Sequence, residues 1–217
     1  MILAAGRGQR LAPLTDTLPK PLVEVGDTTL IERHLARLAT AGINDIVINV
    51  SHLGHLIEAR LGDGRAYGVR IVYSREPGGP LETGGGIARA LPLLGEAPFL
   101  VINADVWTDF VFRPGPTPII PAHLVLIENP PHHPGGDFNL RGDRVTRGAP
   151  HRYTYAGIGI FAPSLFHGRA EPRFALAPLL FELAEAGRLS GEIHLGRWFD
   201  IGTAKRLQAA RAAVAQG

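Results

Sequence analysis

Five short stretches of this chain carry residue types and spacings suited to handling phosphates and a metal ion. The first is Leu3-Ala4-Ala5-Gly6-Arg7-Gly8-Gln9-Arg10-Leu11. Its two glycines follow an apolar run, where bare backbone N–H groups can approach an anion. Leu11 stands where a dinucleotide fingerprint needs its third glycine, and the Gly-Lys-Ser/Thr of a P-loop is absent. An ordinary strand-to-helix turn would use the same glycines. The second stretch, Leu18-Pro19-Lys20-Pro21-Leu22, predicts a rigid, extended presentation of one compact positive charge. Of 22 Lys and Arg residues only Lys20 and Lys205 are lysines, so a lysine between two prolines is a pointed choice.

The third stretch is Asn103-Ala104-Asp105, at the end of an apolar run. Asp105 there could ligate Mg²⁺ beside substrate phosphates, or satisfy the backbone of the next turn. The fourth is Trp198-Phe199-Asp200-Ile201-Gly202-Thr203. A carboxylate among apolar neighbours needs a partner or a metal, unless Asp200 caps the helix that begins near Thr203. Nothing in the spacing brings Asp105 and Asp200 together. The fifth runs from Glu76 to the glycines Gly84, Gly85 and Gly86. Three glycines at a helix start imply a flat or bulky group packed on that backbone, or else a flexible loop. His132-His133 lacks a third ligand at a recognisable spacing and is set aside as a metal site.

These stretches must be held by regular elements. Strands are expected at Met1–Ala4, Asp45–Val50, Val69–Ser74, Phe99–Ala104, His123–Ile127 and Tyr153–Phe161. Helices are expected at Thr29–Ala41, from a Ser51 cap to Leu61, at Thr83–Leu91 ending before Pro92, at Leu176–Gly187 and at Thr203–Ala213. Arg141-Gly142-Asp143 marks a hairpin, and Trp198–Ile201 a short strand or turn. Alternating strands and helices through the first half predict an α/β fold with a mixed, mostly parallel sheet, extended by the later hairpin and long strand. Ligands of such folds bind at the carboxyl ends of the strands, where the first, third and fifth stretches fall.

Composition closes off other classes. At 217 residues the chain is read as one domain, with residues of about 1–110 forming one half and 111–217 the other. A formal charge of +2 gives no argument for nucleic acid or an anionic membrane. With no cysteine there are no disulfides, thiolate metal sites or cysteine nucleophiles. No apolar run reaches the ~20 residues of a membrane span, and the N-terminus does not resemble a signal peptide, so a cytoplasmic protein without an obligate protein partner is expected.

Taken together and in this order, the five stretches resemble the sugar-phosphate nucleotidyltransferase family. Within it, Leu81–Ile87, Asn103–Asp109, Asn129–His133, Gly136–Phe138 and Ser190–Glu192 resemble a subgroup that joins UTP to N-acetylmuramate 1-phosphate in peptidoglycan recycling. The resemblance implies a Rossmann-like three-layer sandwich, Mg²⁺ as cofactor, and UTP and a sugar 1-phosphate as substrates. It implies nucleotide contacts from Gly6, Gly8, Gln9, Arg10, Lys20, Glu76, Thr83 and Gly84. Arg10, Lys20 and Asp105 would be catalytic, Asp105 and Asp200 would hold the metal, and Asn103, Asp137, Gly157 and Glu192 would line the sugar side. Many relatives carry a Glu-Lys-Pro lysine for the sugar phosphate; here the corresponding stretch offers Arg147 and Arg152. The same chemistry on mannose or glucose 1-phosphate with another nucleotide, and a non-catalytic nucleotide-binding regulator, are the alternatives.

Overall fold

The computed structural model describes residues 1–113, 121–148, 150, 152–168 and 172–216. In chain order the elements are β1 (Ile2–Leu3), α1 (Leu14–Thr17), α2 (Leu30–Thr40), β2 (Asp45–Val50), α3 (Gly54–Leu61), β3 (Arg70–Arg75), α4 (Glu82–Leu94), β4 (Phe99–Asn103) and β5 (Val106–Thr108). The second half adds β6 (Ala122–Glu128), β7 (Asn139–Arg141), β8 (Arg144–Thr146), β9 (Tyr153–Phe161), α5 (Leu176–Glu185), β10 (Leu189–Ile193), β11 (Trp198–Asp200) and α6 (Ala204–Ala215).

The chain forms two compact units. The first comprises Met1–Leu81, Asn103–Pro114 and Arg197–Gly217. Its strands β1, β2 and β3 pair in parallel, Ile2 opposite Ile48 and Ile46 opposite Ile71. A separate antiparallel ribbon pairs β5 with β11. The helix α2 begins at a full capping box: Thr29 accepts from the Glu32 N–H while the Glu32 carboxylate accepts from the Thr29 N–H. Its apolar stripe buries Leu30, Ile31, Leu35 and Leu38. Leu11, Val23, Val25, Leu30, Trp107, Ile201, Leu207 and Ala210 make one core cluster around the ribbon.

The second unit comprises Glu82–Ile102 and Gly115–Gly196. Here β9 pairs antiparallel with both β4 and β6, β6 pairs parallel with β10, and the β7–β8 hairpin joins the edge of β10. The α/β fold thus combines parallel and antiparallel pairing. Residue Gly191 is demanded by packing, since a Cβ there would meet Val145 at 2.7 Å and the Leu124 carbonyl at 2.8 Å.

Several expectations are corrected. Ser51 does not cap α3: Leu53 occupies the N-cap position in a left-handed conformation (φ 53°) with no side-chain cap, and Ser51 Oγ donates to the Glu76 carbonyl at 3.0 Å. Pro92 lies inside α4 and does not stop it; a proline near the last turn forfeits one hydrogen bond, and the helix closes instead at Gly95, whose N–H donates to the Leu91 carbonyl. Pro19 is extended, yet Lys20–Leu22 curls into a 3₁₀ turn. Two strands, β5 and β10, were not expected, because three and five residues of mixed polarity carry too little periodicity.

Candidate active site

The loop after β1 is built around Gly8. Its φ is 66°, and a Cβ on it would meet Thr15 Cγ2 at 3.0 Å and Lys20 Cβ at 3.3 Å. Thr15 Oγ1 donates to the Gly8 carbonyl at 2.9 Å. Glycine at position 8 therefore answers both a left-handed backbone and the close seating of Lys20. Gly6 has open space about it, and Gln9 and Arg10 stand exposed on the 3₁₀ turn Gln9–Leu11.

Lys20 reaches Asp105: Nζ lies 2.5 Å from Oδ2. Asp105 is held in turn by its backbone. The Ala104 N–H donates to the Leu3 carbonyl at 3.0 Å, and the Ile201 N–H to the Asp105 carbonyl at 2.8 Å. The second bond continues the β5–β11 ribbon, in which Asp200 stands opposite Val106. Two carboxylates far apart in sequence thus sit at one end of the ribbon, Asp200 on β11 and Asp105 in the turn just before β5. The Asp200 carboxylate pairs with Arg206 Nη1 at 3.1 Å, and that guanidinium lies so close over Gly202 that any side chain there would strike it. Thr203 caps α6 by accepting from the Arg206 N–H and so sets where Arg206 starts.

A buried relay supports the loop from beneath. Asn49 Oδ1 accepts from the Ala4 N–H at 2.8 Å, and Asn49 Nδ2 donates to Glu76 Oε1 at 2.8 Å. The other oxygen, Glu76 Oε2, accepts from the Leu81 N–H at 2.8 Å. Asn49 and Glu76 are each only 2% exposed. The relay ties the ends of β1, β2 and β3 together. Asn49 is absent from the sequence-derived site, although an amide in the otherwise apolar run Ile46–Val50 is a legible signal. Arg206 and Thr15 are likewise additions, and they carry no such signal. The expected role of Glu76 in reading a base meets a carboxylate whose two oxygens already hold the chain.

In the second unit, Thr83 Oγ1 accepts from the Leu176 N–H at 3.0 Å, joining α4 to the start of α5. Phe174 is the bulky group on the glycines: its ring and carbonyl press on Gly84, and its carbonyl accepts from the Gly85 N–H at 3.0 Å. Asp137 shapes its own loop. Oδ2 accepts from the Tyr155 N–H at 2.9 Å, and Oδ1 lies 3.0 Å from His133 Nε2. Gly157 takes φ 74° inside β9, facing the register shift between Leu124 and Leu126, a bulge of the kind that re-aims side chains near sites. Glu192 is exposed on β10 with His123 Nε2 at 3.6 Å. Arg147 and Arg152 are both exposed, and Arg147 lies over the Phe181 ring at 3.8 Å.

Among the described residues no group of three or more His, Asp or Glu side chains is gathered for a metal, and no helix is long and apolar enough to cross a membrane. Two hard oxygen donors, Asp105 and Asp200, each hold a cation of the chain itself. That donor set fits Mg²⁺, which uses one or two carboxylates and takes its remaining ligands from water and phosphate.

The chain is 51% identical, over 98% of its length and 96% of the relative's, to an N-acetylmuramate alpha-1-phosphate uridylyltransferase of Neisseria meningitidis serogroup B. It is 37% identical, over 100% of its length and 96% of the relative's, to a protein of the same name from Caulobacter vibrioides. A Bacillus anthracis protein solved in complex with a sucrose superposes with a TM-score of 0.87 at 23% identity, covering 98% of this chain and 93% of that one; it attests the Rossmann-like fold. The Nucleotidyl transferase family matches residues 1–118, and with the glycine loop, Lys20 and Asp105 all inside that span, this chain belongs to that family and is a nucleotidyltransferase.

Proposed function

We propose that the enzyme transfers uridylyl from UTP to N-acetylmuramate 1-phosphate, giving UDP-N-acetylmuramate and pyrophosphate. The observation that carries this reading is the 51% identity, along nearly the whole chain, to the Neisseria protein of that name. A sugar-phosphate oxygen attacks the α-phosphorus in line. The new O–P bond forms as the α–β bridge breaks, and pyrophosphate leaves with the bonding pair. The nucleophile is already ionised at neutral pH, so no general base is required, and the protein's task is positioning and charge neutralisation.

Each residue then has a part. Backbone N–H groups around Gly6 and Gly8 receive the triphosphate, and Gln9 and Arg10 hold the departing β- and γ-phosphates, Arg10 as a two-pronged donor. Lys20, already poised over Asp105, neutralises charge at the α-phosphate. Asp105 and Asp200 hold Mg²⁺, which when bound stabilises charge on the phosphates. Glu76 serves base recognition by fixing Leu81 ahead of Thr83 and Gly84, whose backbone meets the base. Asn103, Asp137, Gly157 and Glu192 are assigned to the sugar. On this reading the enzyme works in the cytoplasm, in peptidoglycan recycling.

The test is pyrophosphate release with UTP and Mg²⁺ on N-acetylmuramate 1-phosphate, run beside glucose, N-acetylglucosamine and mannose 1-phosphates. Release with the muramic sugar alone is expected. Release with another sugar, or with GTP in place of UTP, overturns the substrate assignment. Asp105→Asn is expected to lose turnover far more than UTP binding; near-normal turnover removes Asp105 from the metal site.

A further inference from the structure

One shielded cation of the first unit has no part in the proposed reaction. Arg206 Nη1 lies 3.1 Å from Asp200 Oδ2, and among the described residues Asp200 is the one carboxylate that this guanidinium meets. The two side chains are 19% and 23% exposed, so water and salt screen them far less than a surface pair. The seat of the arginine is built around it. Thr203 accepts from the Arg206 N–H and fixes where the side chain leaves α6, and Gly202 leaves the guanidinium room that a Cβ would fill.

The helix itself gives no reason for an arginine here. Lys205 and Arg206 both stand in the first turn of α6, which holds no acid. A cation there faces the positive end of the helix dipole, so the placement is unfavourable until Asp200 offsets it. Arg206 Nε and Nη2 are buried without an acceptor, so the guanidinium keeps to Asp200 while two of its other nitrogens forgo hydrogen bonds. Its effect therefore passes through that carboxylate. Asp200 is assigned to the metal, and a divalent cation approaching it meets a positive charge already bound to the same group. In a shielded place such repulsion is stronger than in water.

We propose that Arg206 is a positioning residue that holds Asp200 as its counter-cation and keeps down the affinity of the nucleotide-free enzyme for a free divalent cation. Lys20, the partner of Asp105, has its own part in the chemistry, whereas Arg206 acts only through Asp200. This role rests on the assignment of Asp200 to the metal, and not on the identity of the sugar.

Mn²⁺ is the probe. Its binding to the nucleotide-free enzyme is followed by loss of the free-ion electron paramagnetic resonance signal, beside thermal unfolding in MgCl₂ at ionic strength held constant with KCl. Arg206→Gln is expected to tighten Mn²⁺ binding about tenfold or more, the effect of one charge removed from a shielded carboxylate. It is also expected to enlarge the rise in Tm that Mg²⁺ produces, because a ligand stabilises the fold in proportion to how tightly it binds. Arg206→Lys, which keeps the charge, is expected to bind Mn²⁺ as the parent does. Lys205→Gln removes the same charge from an exposed neighbour and is expected to shift the midpoint by less than about twofold. Adding Asp200→Asn to Arg206→Gln is expected to abolish the gain. Arg206→Met takes the place of Arg206→Gln where the latter does not fold. Unchanged or weaker Mn²⁺ binding in Arg206→Gln, or equal tightening in Lys205→Gln, overturns the role of Arg206. Asp200→Asn alone is expected to weaken Mn²⁺ binding; unchanged binding there overturns the metal assignment itself, and the proposal with it.

Discussion

Replacing Asn49 with leucine tests the relay that holds the phosphate-binding loop. The side chains are similar in size, so the substitution chiefly deletes two hydrogen bonds, one from the Ala4 N–H and one to Glu76 Oε1, both 2.8 Å long. It leaves a backbone donor and a carboxylate oxygen buried, beside a residue only 2% exposed. At about 1–3 kcal/mol for the neutral group and the upper end or more for the charged one, the loss is about 3–6 kcal/mol. For a chain of this size that lowers Tm by roughly 6–24 °C, measurable by thermal or urea denaturation followed by circular dichroism. Glu76→Gln alone is expected to lose less, because its amide still accepts through one oxygen. The double variant should lose clearly less than the two singles combined, since the same bond is broken only once. A loss below about 1 kcal/mol for Asn49→Leu, or strict additivity with Glu76→Gln, would refute the claim that the relay is a connected, satisfied network.

Three other outcomes are expected. Burial lowers the pKa of His34 to about 4 from its ordinary 6.5, so between those values the unfolded chain binds a proton that the folded chain refuses. Stability should fall as pH drops from 6.5 to 4, by up to about 3 kcal/mol; His34→Leu should flatten that part of a stability–pH curve, and an unchanged slope sinks the reasoning. Gly84→Ala would drive a methyl into Phe174 and destabilise by about 1–3 kcal/mol, with recovery in the Gly84→Ala/Phe174→Leu pair; equal stability of Gly84→Ala and the parent would show that α5 simply moves aside. Lys20→Ala should lower turnover by about 2–4 kcal/mol, the effect of one lost transition-state donor, with folded stability close to the parent's; a parental kcat removes Lys20 from the chemistry.

The strands and helices that carry the site were legible because their patterns are strong. The run Asp45–Val50 and the stretch Tyr153–Phe161 are strands over the expected residues, and Thr29 with Glu32 three positions on announces the start of α2. The glycines at 84–86 were legible as a packing surface, but not that Phe174, some ninety residues later, packs on Gly84. Local pattern also pointed to Lys20, Asp105 and Asp200 as charged groups in need of partners. It could not pair them. Hydrophobic periodicity reports which face of an element is buried, whereas partner choice depends on strand register and on contacts between residues distant in sequence. So Lys20 on Asp105, Arg206 on Asp200 across Gly202, and the chain of hydrogen bonds through Asn49 and Glu76 emerge only when the backbone is closed. The residue types settle which chemistry is available to this chain. The folded contacts settle which charges are already neutralised by a neighbour and which, as at Arg33 among the described residues, bury a donor nitrogen without an acceptor.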